Sequence, residues 1–235
     1  MNEDKKKSSF GAKRLTALLA AVILCCAFVF AGCGKSSSDD ADSSSGSSGT
    51  SMQIDSTLEY FGSFDDYTYS GSGSETVELP EAGYPFLLTA ESSDEGSFYV
   101  CTVDSSGTEL DVLIDTTGEY SGTVTNYTGE YTDAVSVSVT ADGEWGITIT
   151  PLSEMTELEN GQEYTGDGVY MIDEDELESV TITNSGEGDY KFHAIGISSA
   201  QVLAEGTGEL SDTFSWTQNQ CFFIVTSDGT WSISW

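Results

Sequence analysis

The sequence repeats its own order, and that restricts the folds open to it more than any single motif does. "VTADGEWGITI" (139–149) returns as "VTSDGTWSISW" (225–235), and "TGEYSGTVT" (117–125) returns as "TGELSDTFS" (207–215). Upstream, "GSFYVCTV" (96–103) lines up with "GDYKFHAI" (188–195), and "YSGSG" (69–73) with "YTGDG" (164–168). The second copy keeps this order while losing a few loop residues. Two homologous modules follow, with repeat limits near 64–151 and 157–235, joined at "PLSEMTE". With their flanks they occupy 57–151 and 152–235.

Each module reads as strands. Val135, Val137 and Val139 alternate with serine, and Trp145, Ile147 and Ile149 alternate beyond Asp142-Gly143. The second copy repeats this with Cys221, Phe223 and Val225, then Asp228-Gly229, then Trp231, Ile233 and Trp235. Alternation on both sides of Asp-Gly is a strong short-range hairpin signal and predicts a hairpin at each place. Further strands are predicted near 75–79, 85–90, 97–103, 109–114 and 121–125, bounded by Gly, Asp or Ser, some seven per module. No stretch after residue 33 keeps a helical period. The expected fold is all-β: two tandem antiparallel β-sandwich modules, immunoglobulin-like or jelly-roll. Trp145 and Trp231 hold equivalent inward positions and read as core.

The N-terminal segment has a different character. Lys5, Lys6, Lys7, Lys13 and Arg14 precede the uncharged apolar run "LTALLAAVILCCAFVFAG", which is a secretory signal layout. The run closes on Ala31, Gly32 and Cys33. "FAGC" resembles the lipobox of bacterial lipoproteins, with Phe30 where Leu is usual. The resemblance implies that residues 1–32 are a signal peptide and that Cys33 carries the lipid. It also implies a chain held on the extracellular side of the cell membrane. Each buried acyl methylene contributes about 0.8 kcal/mol and one chain alone holds only marginally, so the two or three chains of this family make the attachment durable. Residues 33–56, rich in Ser, Gly and Asp, read as a disordered, flexible stalk.

A second similarity covers nearly the whole remaining chain. The ordered set G-x-G, G-x-[FY], T-G-E and D-G-x-W-x-I is similar to small β-sandwich repeats of surface lipoproteins of Gram-positive bacteria. It implies a fold and assigns no activity.

Charge excludes some functions. The formal net charge is −33, from 40 acids against seven Lys and Arg. Five of those seven bases lie before Cys33, which leaves only Lys35 and Lys191 beyond it. Such a chain cannot neutralise phosphates, so nucleic acid is excluded as a partner, with direct adsorption to anionic lipid heads. The acid clusters at 65–75, 104–111 and 173–178 leave Ca²⁺ open but weakly supported, because none has EF-hand spacing. No other cofactor and no metal site is expected. Cys101 and Cys221 fall at non-equivalent places and read as free, buried thiols, although pairing in an oxidising exterior stays open.

Candidate chemistry is sparse. His193 is the single histidine and stands where the other copy has Cys101, so no catalytic residue is assigned and the chain reads as a non-enzyme. Trp216, whose counterpart is Asn126, and Tyr120, Tyr127 and Tyr131 are candidate carbohydrate-stacking residues. Phe222 and Ile224 replace Ser136 and Ser138, giving the second module an apolar outer face. Such a face fits contact with the neighbouring module or with an external protein. The favoured reading is a surface binding or adhesion protein recognising carbohydrate or cell-envelope material. The alternative is a structural or protein-interaction role through Phe222 and Ile224; a hydrolase ranks last.

Overall fold

The computed structural model describes residues 61–127, 131–172, 174, 177–196, 200–217 and 220–235. The proposed signal peptide, Cys33 and the stalk lie outside the described residues. Among the described residues the chain is built from strands, with two short 3-10 turns at Tyr131–Asp133 and Leu152–Glu154.

The first half contributes β1 (Tyr67–Ser72), β2 (Glu75–Glu78), β3 (Phe86–Ser92), β4 (Ser97–Val103), β5 (Glu109–Thr117), β6 (Tyr120–Thr125), β7 (Ser136–Ala141) and β8 (Glu144–Pro151). They form two four-stranded sheets, ordered β1-β8-β3-β6 and β2-β7-β4-β5. Every connection except β4–β5 therefore crosses from one sheet to the other, which is the order of a jelly roll. The second half adds a two-residue strand β9 (Thr156–Glu157), then repeats the set as β10 (Glu163–Thr165), β11 (Gly168–Met171), β12 (Ser179–Asn184), β13 (Asp189–Gly196), β14 (Ala200–Thr207), β15 (Leu210–Ser215), β16 (Gln220–Thr226) and β17 (Thr230–Ser234). Its sheets run β10-β17-β12-β15 and β14-β13-β16-β11-β9, the same order with β9 added in parallel beside β11. The all-β expectation is met, and of the two plans left open the jelly roll is the one built.

The Asp-Gly hairpins are not built. β7 pairs with β2 and β4, whereas β8 pairs with β1 and β3, so Asp142-Gly143 joins opposite sheets. Asp228-Gly229 likewise joins β16 to β17 across the sandwich. A two-residue hairpin of this composition needs positive φ at its glycine, and neither Gly143 nor Gly229 is among the glycines that have it. Here glycine serves close approach instead, since an added Cβ on Gly143 would overlap Asp94 and one on Gly229 would overlap the Gly186 backbone. The aspartates tie the crossover to the start of the strand paired beside β7 or β16: Ser97 N donates to Asp142 at 2.7 Å and Gly188 N to Asp228 at 2.8 Å. Inward residues alternate on both flanks of a crossover as they do in a hairpin, so periodicity alone does not separate the two.

Each sandwich has its own core. Phe98, Val100, Val137, Val139, Trp145, Ile147 and Ile149 fill the first, and Phe192, Phe223, Val225, Trp231 and Ile233 the second. The indole N–H groups of Trp145 and Trp231 donate to Gly73 O (3.1 Å) and Gly166 O (2.9 Å), so each buried ring keeps its one donor satisfied. Register corrects one repeat alignment. Tyr164 stands opposite Trp231, where the first sandwich has Gly71 opposite Trp145, so Tyr164 corresponds to Gly71 and not to Tyr69. The Tyr164 and Trp231 rings stack at 4.9 Å, while Trp145 lies so close over Gly71 that a Cβ there would come within 2.7 Å of it.

Candidate ligand cleft between the sandwiches

Both sandwiches belong to one compact unit. A third apolar cluster joins them: Phe61, Leu87, Leu152 and Met155 meet Val169, Ile195, Cys221 and Phe222, with Tyr127, Met171 and Ile224 packed against it. Phe61 centres the contact, 5.0 Å from the Tyr127 ring and 5.7 Å from the Phe222 ring. The apolar face expected at Phe222 and Ile224 is therefore covered by the neighbouring module, and Phe222 is only 2% exposed. That removes it as a docking face for an outside protein.

A polar contact runs along the same seam. β6 is an edge strand of its sheet, and its free Thr123 N–H donates to Asp167 O at 3.1 Å. Asp167 sits in the turn between β10 and β11. Its side chain accepts Tyr120 OH at 2.9 Å and Ser227 N–H at 2.9 Å. Burial raises the Asp167 carboxyl above the usual carboxylate range, against the pull of these two donors, and burial beside that carboxyl raises the Tyr120 phenol.

Between the sandwiches lies a cleft of about 1020 Å³. One wall carries Glu91, Asp115, Glu119 and Glu144; the other carries Asp167, Asp189 and Asp228. Hydroxyls of Ser70, Ser121, Thr165 and Thr226 stand among them, with Tyr120 and Trp145 contributing to the lining. Among the described residues no lysine, arginine or histidine lines it. Such a surface attracts cationic groups and offers many acceptors, chiefly carboxylate and hydroxyl oxygens. Among the described residues no group of three or more His, Cys, Asp or Glu is arranged to hold a metal ion.

The four proposed stacking residues do not form one platform. Trp216 is 7% exposed and belongs to the second core. Tyr127 packs in the seam, with Tyr131 beside it at 5.9 Å. Only Tyr120 reaches the cleft, with its ring packed on Phe98 at 5.7 Å. Rings that pack in cores leave no free face for a sugar, so Trp216 and Tyr127 are corrected to packing roles, and Tyr131 is half-buried outside the cleft lining. The sequence signal missed was on the other side: Glu91 and Glu119 belong to the first copy and Asp189 to the second, and only the packing of the modules puts them in one cleft.

The remaining candidates lie elsewhere. His193 is half-buried and outside the cleft lining, and burial with Lys191 nearby pushes it down to about 4, so it is neutral at neutral pH. Lys191 pairs with Glu205 at 3.3 Å. Cys101 and Cys221 are free and buried, and burial leads the causes that push both thiols up to about 11.

No family model and no curated protein matches the sequence. Among solved structures, cAMP-bound PfPKA-R (141-441) is similar at 10% identity, covering 69% of this chain and 71% of that one, with a TM-score of 0.22. A putative alpha-L-fucosidase from Bacteroides ovatus ATCC 8483 is similar at 13% identity and a TM-score of 0.23, over 71% of this chain and 35% of that one.

Proposed function

We propose that this chain is a lipid-anchored surface binding protein that holds amine-bearing carbohydrate of the cell envelope in the acidic cleft between its two sandwiches. The observation that carries this reading is the cleft itself, which has carboxylates on both walls, hydroxyls between them and a volume of about 1020 Å³. Ligand sites span roughly 300–1,000 Å³, so a sugar of several rings fits the space. Ammonium groups on amino sugars meet the carboxylates, and ring hydroxyls exchange hydrogen bonds with Ser and Thr. We read the chain as a binder and not a catalyst, since His193 stands outside the cleft. Cys33 supplies the anchor, and residues 34–56 the reach from the membrane.

The test is titration of soluble residues 38–235 with oligomers of glucosamine and, separately, of N-acetylglucosamine. Binding of the free-amine oligomer that weakens with salt and falls at least tenfold in Glu91→Gln/Glu119→Gln supports the reading. Equal binding of both oligomers, or of neither, overturns the amine-specific site. Anchoring is checked apart from this: Cys33→Ser should lose acyl label and release the protein into the medium.

A further inference from the structure

We propose that the Gly166-Asp167-Gly168 turn is a clasp that fixes the angle between the sandwiches and so sets the width of the cleft. Three hydrogen bonds converge on one residue. Tyr120 OH and Thr123 N–H reach Asp167 from the first sandwich, and Ser227 N–H holds its other carboxylate oxygen from the second. The approach is close enough to require glycine on both sides. A Cβ on Gly166, whose φ is +76°, would come within 2.9 Å of Ser121 O, and one on Gly122 within 3.0 Å of Asp167 Cβ. The repeat supplies an independent observation. Gly73 and Gly166 correspond, since each donates its N–H to the glycine of the Asp-Gly crossover, Gly143 and Gly229. Asp167 therefore corresponds to Ser74, Tyr120 to Leu210 and Gly122 to Asp212. Asp167, Tyr120 and Gly122 are thus each replaced in the copy that has no neighbour at that position, while Gly166 is matched by Gly73. Since Tyr120 and Asp167 also line the cleft, the clasp is part of its lining. The bearing of the clasp on ligand capture rests on the cleft reading above; the clasp itself does not.

Asp167 acts here as a positioning residue, so the readout is geometry and not stability alone. Residues 38–235 with spin labels at exposed Ser105→Cys and Ser211→Cys report the separation of the sandwiches, since Cys101 and Cys221 are buried and react slowly. Asp167→Ala and Tyr120→Phe should each broaden the distance distribution about twofold, because unclasped domains move relative to one another. The double variant should be no broader than either single one, and Asp167→Asn should retain most of the narrow distribution. Distributions that superimpose on the parent, or broaden additively, overturn the clasp. Tyr120→Phe removes one hydroxyl and keeps the test open should Asp167→Ala fail to fold. Oligomer binding with no change in distance on Asp167→Ala sinks the clasp and leaves the cleft reading standing. A changed distance with no oligomer bound by the parent sinks the cleft reading alone.

Discussion

The two sandwiches share an order of strands and differ most where they touch. At β7 the first has Ser136 and Ser138; at β16 the second has Phe222 and Ile224, which meet the first sandwich through Phe61 and Tyr127. On the opposite side of the contact the first sandwich has Leu87, Tyr120 and Gly122, where the register of the second gives Ser179, Leu210 and Asp212. A tandem array needs apolar faces only at its internal joint and polar ones at its ends. The repeat has diverged by that rule: core positions such as Trp145 and Trp231 are kept, and seam positions are split into complementary halves.

The largest expected effect tests what the copies share. Trp231 is 1% exposed, and its ring meets Tyr164, Phe192 and Phe223. Trp231→Ala should cost about 3–5 kcal/mol, as large-to-small changes of buried aromatics do. Denaturant unfolding monitored through the remaining tryptophans checks it. Loss of both sandwiches in one transition would mean that the seam couples them; two separated transitions would mean that it does not.

Next comes what the copies do not share. Phe222→Ser gives the second sandwich the residue of the first and removes a ring that touches Phe61 and Tyr127. A loss of about 2–4 kcal/mol is expected from the buried ring and the hydroxyl left against it. Ser136 is itself buried, so Ser136→Phe, the reverse exchange, overpacks its site and should not stabilise. A measured loss under ~1 kcal/mol for Phe222→Ser would reduce the seam to a passive contact.

Much of this arrangement is legible in the sequence. The strands from 75 to 125 fall within a few residues of β2 to β6, because Gly, Asp and Ser punctuate them and alternation marks their inward faces. Asp142-Gly143 misled because local alternation does not say which sheet a neighbouring strand joins. Trp216 and Tyr127 misled for a related reason: rings in a turn-rich stretch look exposed until a second sandwich or the end of a core covers them. Phe222 and Ile224 were legible as a contact face from their substitution for serine alone. The cleft was not legible, since its two walls come from different sandwiches and its carboxylates are ordinary within an acidic chain.

A smaller difference concerns His193, which stands where the first sandwich has Cys101. Its folded value of about 4 lies below the ordinary 6.5, chiefly because burial disfavours the imidazolium. The unfolded chain therefore takes up the proton first, and stability is lost as pH falls from about 6.5 to about 4, below which both states are protonated. His193→Cys should flatten that window in melting temperature against pH. An unchanged slope would show that the ring stays hydrated in the folded chain.

Asp167 gives the smallest effect, with the opposite sign. Burial raises its carboxyl, so the folded state holds the proton to a higher pH than the unfolded chain does. The favourable contribution is present below the ordinary value of about 4 and is lost as pH rises through the raised folded value. Tyr120 faces it from β6, and the cleft adds the carboxyl groups of Glu91, Asp115, Glu119, Glu144, Asp189 and Asp228. Asp167→Asn keeps an acceptor for Ser227 N–H and can donate to the Tyr120 oxygen while carrying no charge. Its melting temperature should match the parent near pH 4 and exceed it slightly at pH 7. Equal slopes across that range would mean that water reaches the carboxylate and that the seam is open there. A variant that instead loses stability at pH 7 would show that the hydrogen bonds to the ionised form outweigh its desolvation, a clasp stronger when charged.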